Sequence, residues 1–104
     1  MKYIKYNKVV VNPRKREEST NLILEFFTQV QEKIKEMKGF IVMDSLDNPP
    51  ESIVITFWQL KEDMDKFYHQ DNLFLSNLIE ILKQSFEQMP ERKDYQILDF
   101  KLFK

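Results

Sequence analysis

Two apolar extended segments at the centre of the chain constrain its fold most strongly. They run from Phe40 to Asp47 and from Ser52 to Trp58, and Asn48-Pro49-Pro50 separates them. Proline lacks the N–H that a paired strand donates, so this tripeptide favours a loop between two strands. The pattern predicts a β-hairpin in the middle of the chain.

A strand and a long helix precede this hairpin. Tyr3 to Val11 ends in three consecutive valines, which favour a strand, and Asn12-Pro13 stops it. From about Glu17 to Lys38, apolar residues recur every three or four positions, which predicts an amphipathic helix. Gly39, the one glycine of the chain, follows directly, and we expect it to adopt a left-handed conformation at the helix end. The apolar residues of this helix are Ile23, Phe26, Phe27, Val30, Ile34 and Met37.

Helices and a last strand follow the hairpin. A short helix is predicted from Lys61 to about His69, and Gln70-Asp71-Asn72 offers a break with new capping residues. A second helix is predicted from Leu73 to about Gln88, with Pro90 ending it. Tyr95 to Phe103 alternates as a final strand.

The resulting order is β-α-β-β-α-β. It predicts one α+β domain over residues 1–104 with the ferredoxin-like plan, in which helices cover one face of a four-stranded antiparallel sheet. The strands are apolar on both sides, as in Ile53 to Trp58. An antiparallel sheet can leave one face to water, and an apolar free face marks an interface. We therefore expect a homodimer formed through the helix-free face.

Composition removes several classes of site and partner. The chain has no Cys and a single His, His69, which excludes disulfides, thiolate sites and multi-histidine metal sites within one chain. The net charge is −1, and a nucleic-acid partner usually needs a basic face. No apolar run approaches the roughly 18 residues that span a bilayer, and no signal segment is recognisable. We expect a cytoplasmic protein with neither nucleic-acid nor membrane partners.

Three segments carry a family resemblance: Met37-Lys38-Gly39-Phe40-Ile41, Ile53-Val54-Ile55-Thr56-Phe57-Trp58 and Tyr95-Gln96-Ile97. In these segments the chain resembles the antibiotic biosynthesis monooxygenase superfamily, whose members are dimeric α/β barrels of about this length. The resemblance implies a pocket between sheet and helices, where members bind polycyclic aromatics or heme.

The heme-degrading branch of the superfamily permits a closer comparison. Its members place an Asn in the first strand, and Asn7 in Lys5-Tyr6-Asn7-Lys8-Val9 is similar. They also place a Trp and then a heme-ligating His after the hairpin, where this chain has Phe67 and Asn77. His69 is the one side chain available as an iron ligand, so heme binding stays open while heme degradation by the branch's mechanism is not expected.

The cofactor-independent branch implies a different chemistry, in which the substrate itself reacts with oxygen. Under that resemblance, Asn7 and Tyr68 orient and polarise a phenolic or quinone-like substrate, and His69 is the candidate base. Apolar walls are assigned to Trp58, Phe67 and Phe74. A structural interpretation stands beside three of these assignments: a solvated or capping His69, and a core role for Trp58 and Phe67.

Three alternative functions are compatible with this interpretation of the sequence. The first is a cofactor-independent monooxygenase acting on a small aromatic substrate. The second is a non-catalytic protein that binds heme or another flat hydrophobic ligand, since the same pocket would serve both. The third is a dimeric structural or regulatory module with a filled core.

Overall fold

A computed structural model describes all residues from 1 to 104. Its strands are β1 (Tyr3–Val11), β2 (Met37–Asp44), β3 (Glu51–Trp58) and β4 (Phe86–Gln96). Its α-helices are α1 (Arg16–Lys33), α2 (Lys61–Phe67) and α3 (Leu73–Leu82), and a 3₁₀ turn, Pro13–Lys15, precedes α1. The strands form one antiparallel sheet in the order β2-β3-β1-β4. The predicted α+β ferredoxin-like fold is confirmed.

The core lies between one face of the sheet and the helices. Burial alternates along the two central strands: Asn7, Val9 and Val11 of β1 face inwards, and so do Val54 and Trp58 of β3. Alternation arises because successive strand side chains point to opposite faces. The predicted apolar stripe of α1 supplies the opposite wall, with Ile23, Phe26, Phe27 and Val30 buried.

The first helix is shorter than its sequence pattern suggests. It ends at Lys33, and Ile34 already has non-helical angles (φ −117°, ψ 87°). The expectation for Gly39 was wrong: it has no positive φ and lies inside β2, where the register with β3 shifts between Met37 and Gly39. Pairing with β3 extends β2 backwards to Met37, and the prediction of a strand beginning at Phe40 was therefore three residues late.

The last helix and the last strand also differ from the prediction. Helix α3 ends at Leu82, and β4 runs from Phe86 to Gln96. Pro90 lies inside β4, between the pairs Lys8–Glu91 and Val10–Gln88, where the register shifts. A bulge on an edge strand tolerates proline because no ladder bond is lost there. The predicted strand Tyr95 to Phe103 was wrong beyond Gln96, since residues 97–104 have no regular structure.

Asn72 fixes the break between the two short helices. Its Oδ1 accepts the N–H groups of Phe74 (3.1 Å) and Leu75 (3.4 Å), and its Nδ2 donates to the Phe67 carbonyl (2.7 Å). One side chain thus caps the start of α3 and satisfies a carbonyl at the end of α2. The predicted capping break at residues 70–72 is confirmed.

The face of the sheet without helices is largely apolar. Aliphatic and aromatic side chains cover β2 and most of β3, whereas the charged Lys8, Glu51, Glu91 and Lys93 lie on the same face. The C-terminal Phe100 packs edge-on against Phe57 with ring centroids 6.3 Å apart. We name this surface the open face; it consists of Ile4, Tyr6, Ile41, Met43, Ile53, Ile55, Phe57 and Tyr95. None of the helices is long and apolar enough to cross a membrane.

Candidate active site

A hydrogen-bonded network begins at Asn7, in the middle of β1 and beneath the helices. Asn7 is 7% exposed. Its Nδ2 donates to the Val54 carbonyl (3.1 Å) and to the Tyr68 hydroxyl (3.3 Å), and its Oδ1 accepts from Nε of Arg92 (3.1 Å). A buried amide requires such partners. Two of the three sequence-predicted polar residues, Asn7 and Tyr68, are therefore in direct contact.

Thr56 extends the network to Trp58. The Thr56 hydroxyl lies 2.9 Å from the Tyr68 hydroxyl and accepts from Nε1 of Trp58 at 2.9 Å. Thr56 and Trp58 are both fully buried. Because they share the inward face of β3, the strand itself sets the spacing of these two side chains.

Tyr68 keeps its proton in this network. Burial raises the pKa of Tyr68, while its hydrogen bonds with Thr56 and Asn7 act in the opposite direction. Burial disfavours the charged phenolate, so the hydroxyl remains neutral near pH 7. Tyr68 can therefore donate or accept a hydrogen bond at the site, but it is not a base.

Two cationic side chains lie near the Tyr68 ring. Nζ of Lys5 is 5.0 Å from the ring centroid, and Cζ of Arg92 is 5.1 Å from it. Both distances are within the range of cation–π attraction. Lys5 also pairs with Asp94 at 2.6 Å. Partial burial lowers the pKa of Arg92, yet an arginine stays charged at any physiological pH.

Asn7, Tyr68 and Arg92 form the polar end of a small apolar cavity. The cavity has a volume of about 50 Å³, room for one or two water molecules. We name it the Asn7 cavity. Its remaining walls come from β1, β3, α1, α3 and the start of β4: Val9, Ile23, Phe27, Val54, Leu75, Leu78, Ile79, Leu82, Phe86 and Pro90.

The three predicted wall residues lie behind this cavity and do not line it. Trp58 and Phe67 pack together with ring centroids 5.3 Å apart, and Phe67 is 4% exposed. Phe74 stacks on Phe26 at 4.7 Å, on the far side of that aromatic cluster. Trp58 reaches the network through its indole N–H. Trp58 and Phe67 also line a separate groove together with His69, whereas Phe74 contributes packing.

His69 lies outside the network. Its side chain is 56% exposed, and its Nδ1 accepts the backbone N–H of Asp71 at 3.2 Å. It borders a separate groove of about 710 Å³, whose lining includes the carboxylates of Asp63, Asp65 and Asp71. The groove is larger than the Asn7 cavity, and six of its eleven lining residues are charged, with Ile34, Trp58 and Phe67 as its apolar part.

The residues do not fit a heme in the Asn7 cavity. An iron ligand would have to point into that cavity, and the single histidine lies on the surface beside the acidic groove. No group of three His, Cys, Asp or Glu side chains is placed to hold a metal ion.

Thr56 and Arg92 are site residues that sequence reasoning missed. Thr56 is the one polar residue between Val54 and Trp58 on the inward face of β3. A polar residue at such an apolar position could have been recognised from the sequence as a candidate site residue. Arg92 had none, because the predicted strand began only at Tyr95.

The chain is similar in fold, but not in sequence, to proteins of known structure. No protein-family model matches the chain, and no curated protein is similar to it in sequence. Among solved structures, a "putative antibiotic biosynthesis monooxygenase" from Caulobacter crescentus CB15 superposes with a TM-score of 0.82 at 10% identity, covering 94% of this chain and 91% of that one. The chain has the fold of antibiotic biosynthesis monooxygenases.

Two further structures support this assignment of the fold. A protein of the same description from Nitrosomonas europaea has a TM-score of 0.75 at 13% identity, covering 93% of this chain and 99% of that one. A conserved protein from Methanosarcina mazei Go1 has a TM-score of 0.75 at 21% identity, covering 91% and 92% of the two chains. The resemblance noted in the sequence is confirmed as a likeness of fold.

Proposed function

We propose that the chain is a cofactor-independent monooxygenase that oxidises a small phenolic or quinone-like substrate in the Asn7 cavity. The observation that carries the proposal is the arrangement of Asn7, Tyr68 and Arg92, which places hydrogen-bonding groups at one end of an otherwise apolar cavity. Such a site orients a substrate through its polar atoms and excludes water from the rest of it. The fold neighbours named above support the same reaction class.

The chemistry needs no external reductant. A phenol with a free ring position reacts with O₂ to give a quinone and water, for example 1-naphthol plus O₂ gives 1,4-naphthoquinone plus H₂O. One oxygen atom enters the ring and the other leaves as water, while the substrate supplies all four electrons. The Tyr68 hydroxyl would hold the substrate oxygen, and Arg92 would stabilise negative charge that develops on it. Asn7 would keep both groups in place through its hydrogen bonds with them.

A substrate of this size requires the cavity to open. Ligand pockets usually hold about 300–1,000 Å³, well above the present volume. Helix α3 is the wall best suited to move, since it fully buries only Leu75 and Leu82, while Leu73 is 71% and Ile81 61% exposed. Its outward displacement would enlarge the cavity, while Asn7, Thr56 and Arg92 of the network stay on the sheet.

Oxygen uptake with 1-naphthol and hydroxyanthracenes tests the proposal. We expect consumption of O₂ with appearance of quinone absorbance. We expect an Asn7→Leu variant to lose about 100-fold in rate, because Asn7 positions the Tyr68 hydroxyl and Arg92, the groups that stabilise an oxyanion. Tyr68→Phe is a second variant that deletes one hydroxyl and retains the ring. Asn21→Leu, on the exposed side of α1, is the matched control and should retain full activity. Absence of uptake above the protein-free rate for every phenol would contradict the proposal.

One observation favours a second function, that of a non-catalytic binding protein. No carboxylate or histidine lines the Asn7 cavity, so no side chain there is an evident base. A binder would show a saturable change in Trp58 fluorescence with the same phenols and no oxygen uptake. Because His69 lies outside the cavity, we expect hemin to leave the native mass of the protein unchanged. A structural module would show neither response.

We also propose that the open face is the interface of a homodimer. Several of its side chains are exposed in the single chain, including Ile41 (38%), Met43 (41%) and Tyr95 (49%). The C-terminal segment adds Leu98 and Phe103, which are 91% and 90% exposed. Apolar surface of this extent is unusual for a monomer.

Native mass spectrometry tests the interface. We expect a dimer for the unmodified chain and a folded monomer for Met43→Asp, because a buried unpaired carboxylate is costly. Leu24→Asp, on the exposed side of α1 and itself 40% exposed, is the matched control and should remain dimeric. A monomeric unmodified chain would contradict the proposal.

A further inference from the structure

We propose that Arg92 makes the Asn7 cavity selective for aromatic ligands that carry a carboxylate. The inference rests on the proposed function because it concerns the same cavity. It narrows the ligand class from small phenols to aromatic compounds that carry a carboxylate. It is carried by the position of one guanidinium group that is fixed in place and yet has no acidic partner.

Two contacts fix this guanidinium. Nε donates to Oδ1 of Asn7 at 3.1 Å, and Cζ lies 5.1 Å from the centroid of the Tyr68 ring. A guanidinium is planar and presents its donors as a rigid fork. Holding Nε therefore also restricts the direction of the two terminal nitrogens of this residue, which is otherwise exposed on the edge strand.

The terminal nitrogens of Arg92 have no protein partner. Arg92 takes part in none of the six ion pairs of the chain, and its single side-chain hydrogen bond is the one to Asn7. The nearest acidic residues on β4 are already paired, Asp94 with Lys5 (2.6 Å) and Glu91 with Lys93 (3.4 Å).

Arg16 shows how this chain treats a structural arginine. Its terminal nitrogens contact Oδ1 of Asp44 at 2.8 Å and the Glu51 carbonyl at 3.2 Å. Arg16 thus joins α1 to the hairpin through both terminal nitrogens. Arg92 has the opposite arrangement, with the inner nitrogen fixed and the outer pair left for another molecule.

Carboxylate is the anion that fits this fork. Two parallel N–H···O⁻ bonds from a guanidinium to a carboxylate are charge-assisted and stronger than neutral hydrogen bonds. The paired charges of Lys5 and Asp94 cancel, so the polar end of the cavity keeps the single positive charge of Arg92. The apolar walls contributed by α3, including Leu78 and Ile79, would cover the ring that bears the carboxylate.

A matched pair of ligands tests the inference. 1-Hydroxy-2-naphthoic acid and its methyl ester have the same ring and the same phenol, but only the acid is charged at pH 7. We expect the acid to bind the wild-type protein about 10-fold to 100-fold more tightly than the ester, the range expected of a charge-assisted pair. Isothermal titration calorimetry of the full chain gives both affinities.

Variants of Arg92 assign the preference to this side chain. Arg92→Gln should abolish the preference for the acid, and Arg92→Lys should keep only part of it because lysine is a point charge without the fork. Arg14→Gln, an exposed arginine at the 3₁₀ turn, is the control and should leave the preference intact. Equal binding of acid and ester by the wild type, a preference that survives Arg92→Gln, or no binding of either would overturn the inference.

The two proposals can fail separately. Preference for the acid without oxygen uptake would retain the inference and refute the monooxygenase. Uptake with neutral phenols and no preference for the acid would refute the inference and retain the monooxygenase.

Discussion

Replacing Thr56 by valine removes one hydroxyl and almost no volume from the centre of the network. Trp58 is fully buried, and its indole N–H has the Thr56 hydroxyl as its partner at 2.9 Å. Leaving that donor unsatisfied costs about 1–3 kcal/mol. The extra buried methyl group offsets about 0.8 kcal/mol. The Tyr68 hydroxyl keeps its bond from Asn7, so we expect Thr56→Val to destabilise the fold by about 0.2–2.2 kcal/mol.

Urea unfolding followed by Trp58 fluorescence measures this difference. Thr28→Val is the matched control, because the Thr28 hydroxyl bonds the Leu24 carbonyl on the exposed side of α1, and its effect should stay within about 0.5 kcal/mol. Thr56→Ser retains the hydroxyl and should recover part of the loss. If Thr56→Val proved as stable as the wild type, the network would not hold Trp58 and Tyr68 in the way described.

Three other predictions concern the same framework. Burial raises the pKa of Tyr68, so the hydroxyl loses its proton at a lower pH in the unfolded chain than in the folded one. The stability that Tyr68 contributes should therefore be fully present below its unfolded pKa of about 10 and decline above it. Urea unfolding at pH 8 and 10.5 should show a smaller decline in stability for Tyr68→Phe than for the wild type. Gly39→Ala should stabilise the fold by about 0.4–1 kcal/mol, because an added Cβ would lie at an ordinary 3.7 Å from the Phe57 ring and the φ angle of Gly39 is not positive. A loss of stability would contradict the extended conformation of Gly39. Asn72→Ala should cost about 1 kcal/mol in thermal or urea unfolding through loss of the α3 cap, and an unchanged midpoint would refute the capping role.

The first half of the sheet could be predicted because its signals are local. The limits of β1 follow from alternating residues that end at Asn12-Pro13, and β3 follows Asn48-Pro49-Pro50, so both predictions were confirmed within one residue. Gly39 misled because a glycine after an amphipathic run usually marks a helix end. Pairing with β3 decided that position, and pairing depends on a strand distant in sequence.

The end of the chain was mispredicted because β4 is a polar edge strand. Charged residues from Glu91 to Asp94 are compatible with an edge that faces water, yet they carry no apolar alternation. Pro90 was interpreted as a helix stop, whereas it occupies a bulge. The apolar tail that resembled a strand has no regular structure in the single chain.

The site was predictable in part. Asn7 and Tyr68 were selected for their chemistry, and the fold brings them into contact. Arg92 lies 85 positions from Asn7 in sequence, and only the register of β1 with β4 joins them. His69 was selected because it is the one histidine of the chain, which says nothing about where the side chain lies.

The most direct test of the central claim is to map a bound aromatic ligand by NMR. 1-Hydroxy-2-naphthoic acid would be titrated into ¹⁵N-labelled protein while the side-chain N–H signals of Asn7, Arg92 and Trp58, the single tryptophan, are followed. We expect saturable shifts of the Asn7 and Arg92 signals, with the backbone amides around His69 unchanged; Trp58 borders the groove as well and reports binding at either place. Shifts confined to the groove beside His69 and Asp71 would contradict this expectation and place the binding site on the other side of the aromatic cluster.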